Sequence, residues 1–190
     1  VYGAVHNTLR YVCTRTGATL RVLTLPFPIH EPGEVLDVVR RGLTSRTRFA
    51  LFDHITSATG LLLPIEDMVR LCKERGVLVM VDGAHAPGHV PLNLDKLAAD
   101  WYTGNAHKWL FAPKGCALLY AAPHVQKFTH PTVISHPYEQ GFVDEFDYTG
   151  TKDPTAWLAI EAALDFMESL GVAAMREHNF KLARAAAANL

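Results

Sequence analysis

The sequence contains little cysteine. Cys13, Cys72 and Cys116 are the only three among 190 residues, and no two of them form a Cys-x-x-Cys pair. Disulfide-stapled domains and zinc ribbons need an even number of closely spaced cysteines, so neither class is indicated. We therefore expect a reducing, cytoplasmic setting, in which the three side chains fill small spaces in the core.

An excess of charge and a long apolar run are missing as well. The chain has 18 Lys and Arg against 19 Asp and Glu, a net charge of −1. Binding of nucleic acid needs a basic excess that neutralises phosphates, so no nucleic-acid partner is predicted. The longest apolar run covers residues 116–122. About 18 to 20 such residues are needed to span a bilayer, so no membrane partner is predicted either.

Short apolar runs alternate with amphipathic stretches along most of the chain. This alternation is typical of βαβ units around a buried parallel sheet, and it predicts a three-layer α/β/α fold with a mostly parallel mixed sheet. The last strand is expected to run antiparallel, because its connection is too short for a helical crossover. Helices are predicted from Pro32, after Pro64 and from Asp153-Pro154 to Leu170, with a break at Gly171 before a last helix. The predicted strands are residues 19–25, 48–54, 77–82, 101–104 and 116–121.

Two predicted strand ends carry the most informative side chains. The apolar run 77–81 ends at Asp82, and Lys108 lies just past the next strand, between His107 and Trp109. Ligands of open α/β sheets bind beyond the carboxyl ends of the strands, and a lysine in apolar surroundings can become a nucleophile or a base. Pyridoxal phosphate needs a Schiff-base lysine and an acid for its pyridinium nitrogen, so the pair points to this cofactor. Two alternatives stay open, a turn-capping Asp82 and a surface lysine whose stem lies on Trp109.

Longer motifs surround both residues. They read Asp82-Gly-Ala-His-Ala-Pro-Gly, Tyr102-Thr-Gly-Asn-Ala-His-Lys-Trp and Ala112-Pro-Lys-Gly-Cys-Ala, with Asp53-His-Ile-Thr-Ser-Ala-Thr-Gly upstream and Tyr148-Thr-Gly-Thr-Lys-Asp-Pro downstream. Together these motifs resemble the class V aminotransferase family of fold-type I pyridoxal phosphate enzymes, and within it the isopenicillin N epimerase-like branch. The resemblance spans nearly the whole chain.

The resemblance implies a role for each matching residue around the two strand ends. Lys108 is the expected Schiff-base lysine, and Asp82 is the expected partner of the pyridinium nitrogen. His85 takes the position beside the phenolic oxygen of the cofactor. Asn105 takes the place of a small polar residue near the phosphate, and His107 is the histidine that precedes the lysine.

Two further positions follow from the same resemblance. Ser57 falls close to the cofactor ring, and Thr151 matches a threonine that reaches the phosphate bound by the partner subunit, which implies a homodimer. The expected reaction breaks a bond at Cα or Cβ of an amino-acid substrate through a quinonoid intermediate, in an epimerase, a C–S lyase or desulfurase, or an aminotransferase. By the same resemblance, residues 1–150 form the central part of the cofactor-binding large domain and residues 151–190 are helices leading out of it. The phosphate loop and most of the small domain are expected to lie outside this chain, and the chain alone is therefore expected to be inactive.

Two other functions remain open at this stage. Asp82, His85, His89 and His107 could serve as ligands of a metal-dependent enzyme, since imidazole and carboxylate groups suit zinc or iron. Alternatively, a non-catalytic protein could keep the large-domain fold as a scaffold.

Overall fold

A computed structural model describes residues 1–189 of the chain. The strands are β1 (Phe49–Asp53), β2 (Leu78–Asp82), β3 (Trp101–Asn105) and β4 (Ala117–Ala121). The helices are α1 (Gly3–Thr16), α2 (Pro32–Gly42), α3 (Ile65–Lys73), α4 (Leu94–Leu97), α5 (Pro123–Gln126), α6 (Phe142–Asp147), α7 (Thr155–Leu158), α8 (Ile160–Ser169) and α9 (Val172–Ala187).

The four strands form one sheet in the order β1-β2-β3-β4. β1 pairs in parallel with β2 from Phe49↔Leu78 to Asp53↔Asp82, and β2 pairs in parallel with β3 up to Asp82↔Thr103. The side chains of β2 alternate between half-buried positions and the fully buried Val79 and Val81. The predicted α/β fold with a mostly parallel mixed sheet is confirmed.

Helix α3 shows how the sequence specifies these elements. Its buried residues recur every three or four positions, which places them on one face: Ile65, Met68, Val69 and Cys72. Glu66 and Asp67 lie in the first turn and Lys73 in the last, the arrangement that the helix dipole favours. The helix therefore begins directly after Pro64, as predicted.

The strand predicted at residues 19–25 is wrong. This segment forms no strand in the structure, since no neighbouring strand among residues 1–189 pairs with it. Its Leu23 instead packs against α2 at Gly42, where an added Cβ would lie 2.5 Å from Leu23 Cδ2. Alternating apolar residues predict an extended segment but not a hydrogen-bonding partner for it.

The helical prediction after Asp153 holds only in part. Asp153 Oδ1 accepts the N–H of Thr155 at 2.9 Å, so the start of the helix is close to the prediction. The prediction of a single helix to Leu170 is wrong, because the helix is interrupted at Ala159, between α7 and α8. The break at Gly171 is confirmed, with Gly171 in the left-handed region at φ 77°.

The chain divides into two compact units that interleave along the sequence. The first consists of Val1–Ala84, Asn93–Thr103 and Leu119–Gln126, and the second of His85–Leu92, Gly104–Leu118 and Lys127–Leu190. Within residues 1–189, no helix is both long and apolar enough to cross a membrane.

Candidate active site

Asp82 closes strand β2 in the first unit. Its carboxylate Oδ1 accepts the N–H of Ala84 at 3.1 Å, so the turn-capping interpretation of this residue is confirmed. The same carboxylate acts on a neighbour, because burial and then the charge of Asp82 raise the pKa of the fully buried Tyr102. Capping uses one carboxylate oxygen, and a ligand role for Asp82 stays a prediction.

A buried pair lies next to Asp82 in the same unit. The hydroxyl group of Tyr102 is 3.0 Å from Nδ1 of His54, and both side chains are less than a tenth exposed. Gly83 makes room for the tyrosine, since a Cβ there would lie 2.0 Å from Cζ of Tyr102. The residue after Asp82 is therefore glycine, because the ring of Tyr102 occupies the space that a side chain at position 83 would need.

We expect the free energy of unfolding to fall as the pH drops below about 6.5. Burial, the largest influence, lowers the pKa of His54 below 6.5, and the charge of Glu66 opposes this shift only in part. At such a pH the unfolded chain binds a proton at His54 that the folded chain does not bind. The free energy of unfolding therefore falls by up to about 1.4 kcal/mol per pH unit between the two pKa values.

Urea unfolding at pH 7.5 and pH 5.5 measures this loss. His54→Gln should flatten the pH dependence, whereas His30→Gln, at an exposed histidine of the same unit, should leave it unchanged. Equal slopes for both variants would contradict the assignment to His54.

The second unit contains Lys108 and its immediate neighbours. Lys108 is half-buried, and its Nζ lies 3.2 Å from Nε2 of His85. The other ring nitrogen of His85, Nδ1, accepts the indole N–H of Trp109 at 3.4 Å. The structure therefore brings together two of the predicted site residues, Lys108 and His85, and adds a third side chain to them.

His107 and Asn105 form a second contact in this unit. Nδ1 of His107 lies 2.8 Å from the carbonyl oxygen of Cys116, so this nitrogen carries the proton and donates it. The other nitrogen, Nε2, lies 3.3 Å from Nδ2 of Asn105 and accepts from it. Both ring nitrogens are thus engaged within the chain, and the backbone just before Lys108 is fixed to the segment that leads into β4.

Apolar packing supports this backbone. Ala106 and Cys116 are at most 1% exposed and belong to a cluster with Ala112 and Ala163. The N–H of Ala112 donates to the carbonyl of Ala106 at 3.2 Å, which closes the loop that carries Lys108. The loop is therefore held at both ends, and its charged or polar side chains are those of His107 and Lys108.

Trp109 is a contact that the sequence reasoning missed. The sequence indicates Trp109 only as a surface for the lysine stem, but its indole N–H donates to His85 and its ring stacks on His89 with ring centroids 4.1 Å apart. Gly88 lies against its backbone, and a Cβ there would be 2.2 Å from the carbonyl oxygen of Trp109. A tryptophan directly after the lysine, with Gly88 and His89 in the upstream motif, was the available signal.

The two remaining predicted residues lie on exposed turns. Ser57 follows β1 in the first unit, and Thr151 lies in a bend between α6 and α7 in the second. Their roles stay predictions.

The described residues contain no set of side chains that would support a metal site. Among residues 1–189, no group of three or more His, Cys, Asp or Glu side chains could hold a metal ion. His107 uses both ring nitrogens within the chain, and His89 stacks on Trp109 while its Nδ1 donates to the carbonyl of His85 at 3.2 Å. Asp82, His85, His89 and His107 are therefore wrong as a joint set of metal ligands.

The site thus places a lysine amine beside an imidazole on an α/β fold with a mostly parallel sheet, and a primary amine can form a Schiff base with a carbonyl compound. The family model described as "Aminotransferase class-V" matches residues 2–190. The chain belongs to the class V aminotransferase family.

Three known proteins illustrate the similarity. The chain is 36% identical over 191 residues to a probable chloroplastic L-cysteine desulfhydrase of Arabidopsis thaliana, covering 94% of this chain and 40% of that protein. It is 35% identical over 187 residues to the isopenicillin N epimerase of Streptomyces clavuligerus, covering 90% and 47%. A solved structure of a C-DES mutant with glycine covalently linked to the PLP cofactor matches with a TM-score of 0.75 at 21% identity, covering 93% of this chain and 50% of that one. This chain thus spans less than half the length of both curated relatives.

Proposed function

We propose that this chain is part of a pyridoxal phosphate-dependent enzyme that breaks a bond at Cα or Cβ of an amino acid. The observation that supports this most directly is the amine of Lys108 at 3.2 Å from His85, in a chain of the class V aminotransferase family. The two curated relatives are named as a probable L-cysteine desulfhydrase and an isopenicillin N epimerase, and the first of these names specifies an amino acid.

The residues present fit the cofactor. A half-buried primary amine suits its aldehyde, and a carboxylate at a strand end suits its ring nitrogen. When bound, pyridoxal phosphate supplies a sink for the electron pair that is released when a bond to Cα breaks. We assign Lys108 to hold the cofactor, Asp82 to keep its ring nitrogen protonated, and His85 to its phenolic oxygen.

The remaining assignments follow the resemblance. Asn105 and His107 would lie toward the phosphate, Ser57 toward the ring, and Thr151 toward the phosphate in the partner subunit of a homodimer. The fixed ring of His107 supports a positioning role, since neither of its nitrogens is available to move a proton without breaking a contact. A cytoplasmic setting remains part of this proposal.

Lys108 is also the proposed general base and acid. As a free amine Lys108 would take the proton from Cα and, as an ammonium, give a proton back to the substrate. Proton removal at Cα is shared by epimerisation, by C–S bond cleavage in cysteine, and by transamination. We therefore propose an amino-acid substrate and leave these three reaction types as alternatives within one mechanism.

Borohydride trapping tests the assignment of Lys108. The protein is incubated with pyridoxal phosphate, reduced, digested and mapped by mass spectrometry. We expect the pyridoxyl group on Lys108, its loss in Lys108→Ala, and its retention in Lys114→Ala, which removes an exposed lysine six residues further along the same segment. An adduct on another lysine in the unmodified protein would refute the proposal.

A further inference from the structure

Asp82 and Gly83 form the only Asp-Gly pair of the sequence, and no Asn-Gly pair occurs in it. Aspartate is chemically least stable before glycine, because glycine leaves the next amide nitrogen accessible and its backbone free to turn toward the carboxyl group. The structure nevertheless requires glycine at this position. A Cβ at position 83 would lie 2.0 Å from Cζ and 2.1 Å from the hydroxyl oxygen of Tyr102.

The reaction at such a pair needs no enzyme and no reactant other than water. The amide nitrogen of Gly83 attacks Cγ of Asp82, an N–C bond forms, and the carboxyl OH leaves with the amide proton as water. The product is a cyclic succinimide, and water then adds to one of its ring carbonyls. Cleavage of the bond from nitrogen to Cγ restores aspartate, whereas cleavage of the bond from nitrogen to the main-chain carbonyl carbon gives isoaspartate.

The fold engages both polar groups of the Asp82–Gly83 peptide within the first unit. The N–H of Gly83 donates to the carbonyl of Thr103 at 2.9 Å, and the carbonyl of Asp82 accepts the N–H of His54 at 2.8 Å. Gly83 is buried, and Oδ1 of Asp82 also accepts the N–H of Ala84 at 3.1 Å. The attacking nitrogen must therefore leave its partner on β3 before it can lose its proton and approach Cγ.

We infer that Asp82-Gly83 is a masked modification site, at which isoaspartate forms only when the hydrogen bond from Gly83 to Thr103 is open. The consequence for activity rests on the proposed function. In isoaspartate the free carboxylate is attached directly to Cα, so it would no longer reach the position at which Asp82 serves the ring nitrogen of the cofactor. The modification itself involves this chain and water alone.

Incubation of the chain in native buffer and in urea measures the masking. After digestion, isoaspartate at position 82 is quantified by mass spectrometry with electron-transfer fragmentation, and Asp37 is the internal reference because the bulky Val38 follows it. We expect isoaspartate to accumulate at position 82 in urea. In native buffer the rate should be lower by a factor of about 100 or more, because only the small open population reacts.

Hydrogen exchange at the Gly83 amide gives an independent value for the same opening. Exchange and attack both need the released nitrogen, so the slowing of isomerisation should agree with the amide protection factor to within about tenfold. Tyr102→Leu removes the ring that packs against Gly83 and should lower both values together. Tyr120→Leu, at a half-buried tyrosine of β4 in the same unit, is the matched control and should leave both unchanged.

A measurement in urea checks the chemistry apart from the fold. Gly83→Ala cannot clash with Tyr102 in the unfolded chain, and it should slow isoaspartate formation at position 82 severalfold.

Three results would overturn the inference. The first is an equal rate in native buffer and in urea, and the second is a slow native rate although the Gly83 amide exchanges as fast as in the unfolded chain. The third is equal accumulation at Asp37 and Asp82 in urea. None of these measurements needs pyridoxal phosphate, so the borohydride experiment and this one can fail separately.

Discussion

Replacing Lys73 by methionine is expected to lower the free energy of unfolding by about 3 kcal/mol at pH 7. Lys73 Nζ lies 2.5 Å from Oδ1 of Asp100, a carboxylate that is 0% exposed. Asp100 also accepts the N–H of Val79 at 2.6 Å and Nε2 of His124 at 2.7 Å. Loss of the ammonium leaves a buried negative charge with its desolvation cost, and only the hydrogen bonds from Val79 and His124 remain to offset it.

A matched control separates burial from ion pairing. Lys96 makes a similar pair with Glu66 at 3.2 Å, but both side chains are at least 60% exposed, so Lys96→Met should cost at most about 0.5 kcal/mol. Urea unfolding of the two variants gives the comparison. Equal losses would show that the burial of Asp100 does not decide the energy.

The pH dependence of this network has a definite sign. Burial, the largest influence, tends to raise the pKa of Asp100, but the hydrogen bonds from Lys73, Val79 and His124 together hold it below its usual value. A depressed carboxylate pKa stabilises the fold above the unfolded value of about 3.9, and the stabilisation is lost as the pH falls through the folded pKa. The difference between Lys73→Met and the unmodified protein should therefore shrink below pH 4 or so.

The contacts of Asp100 show which features of the fold sequence patterns can predict and which they cannot. The apolar run before Asp82 predicted β2, and the acidic and basic ends of α3 predicted where it begins and ends, because both signals are local. Asp100 carries no such signal: it precedes β3 as one acid among many, and its partners lie 27, 21 and 24 residues away. Helix α1 was missed for a related reason, since none of its residues is buried and no apolar face marks it.

The candidate site also has a part that its motifs predicted and a part that they did not. Lys108 and His85 were predicted from their motifs, and the structure places them 3.2 Å apart. The contact of Nδ1 of His85 with the indole N–H of Trp109 joins residues that are 24 positions apart. Residue types predicted the reactive groups, whereas the direction of each hydrogen bond needed coordinates.

Replacing Gly88 by alanine is the second change with a large expected effect, about 3 kcal/mol or more in the free energy of unfolding. Gly88 has φ 82°, and an added Cβ would lie 2.2 Å from the carbonyl oxygen and 2.6 Å from the carbonyl carbon of Trp109. These are backbone atoms, which cannot rotate away as a side chain could. The loop and the Trp109 backbone must therefore separate, so the indole should also lose its contact with His85.

Gly115 provides the control for backbone strain alone. It lies in the same unit with φ 98°, and nothing lies within 4 Å of an added Cβ, so Gly115→Ala should cost only about 1 kcal/mol. Urea unfolding measures both losses. If Gly115→Ala cost as much as Gly88→Ala, the close approach of Gly88 to the backbone of Trp109 would not account for the loss.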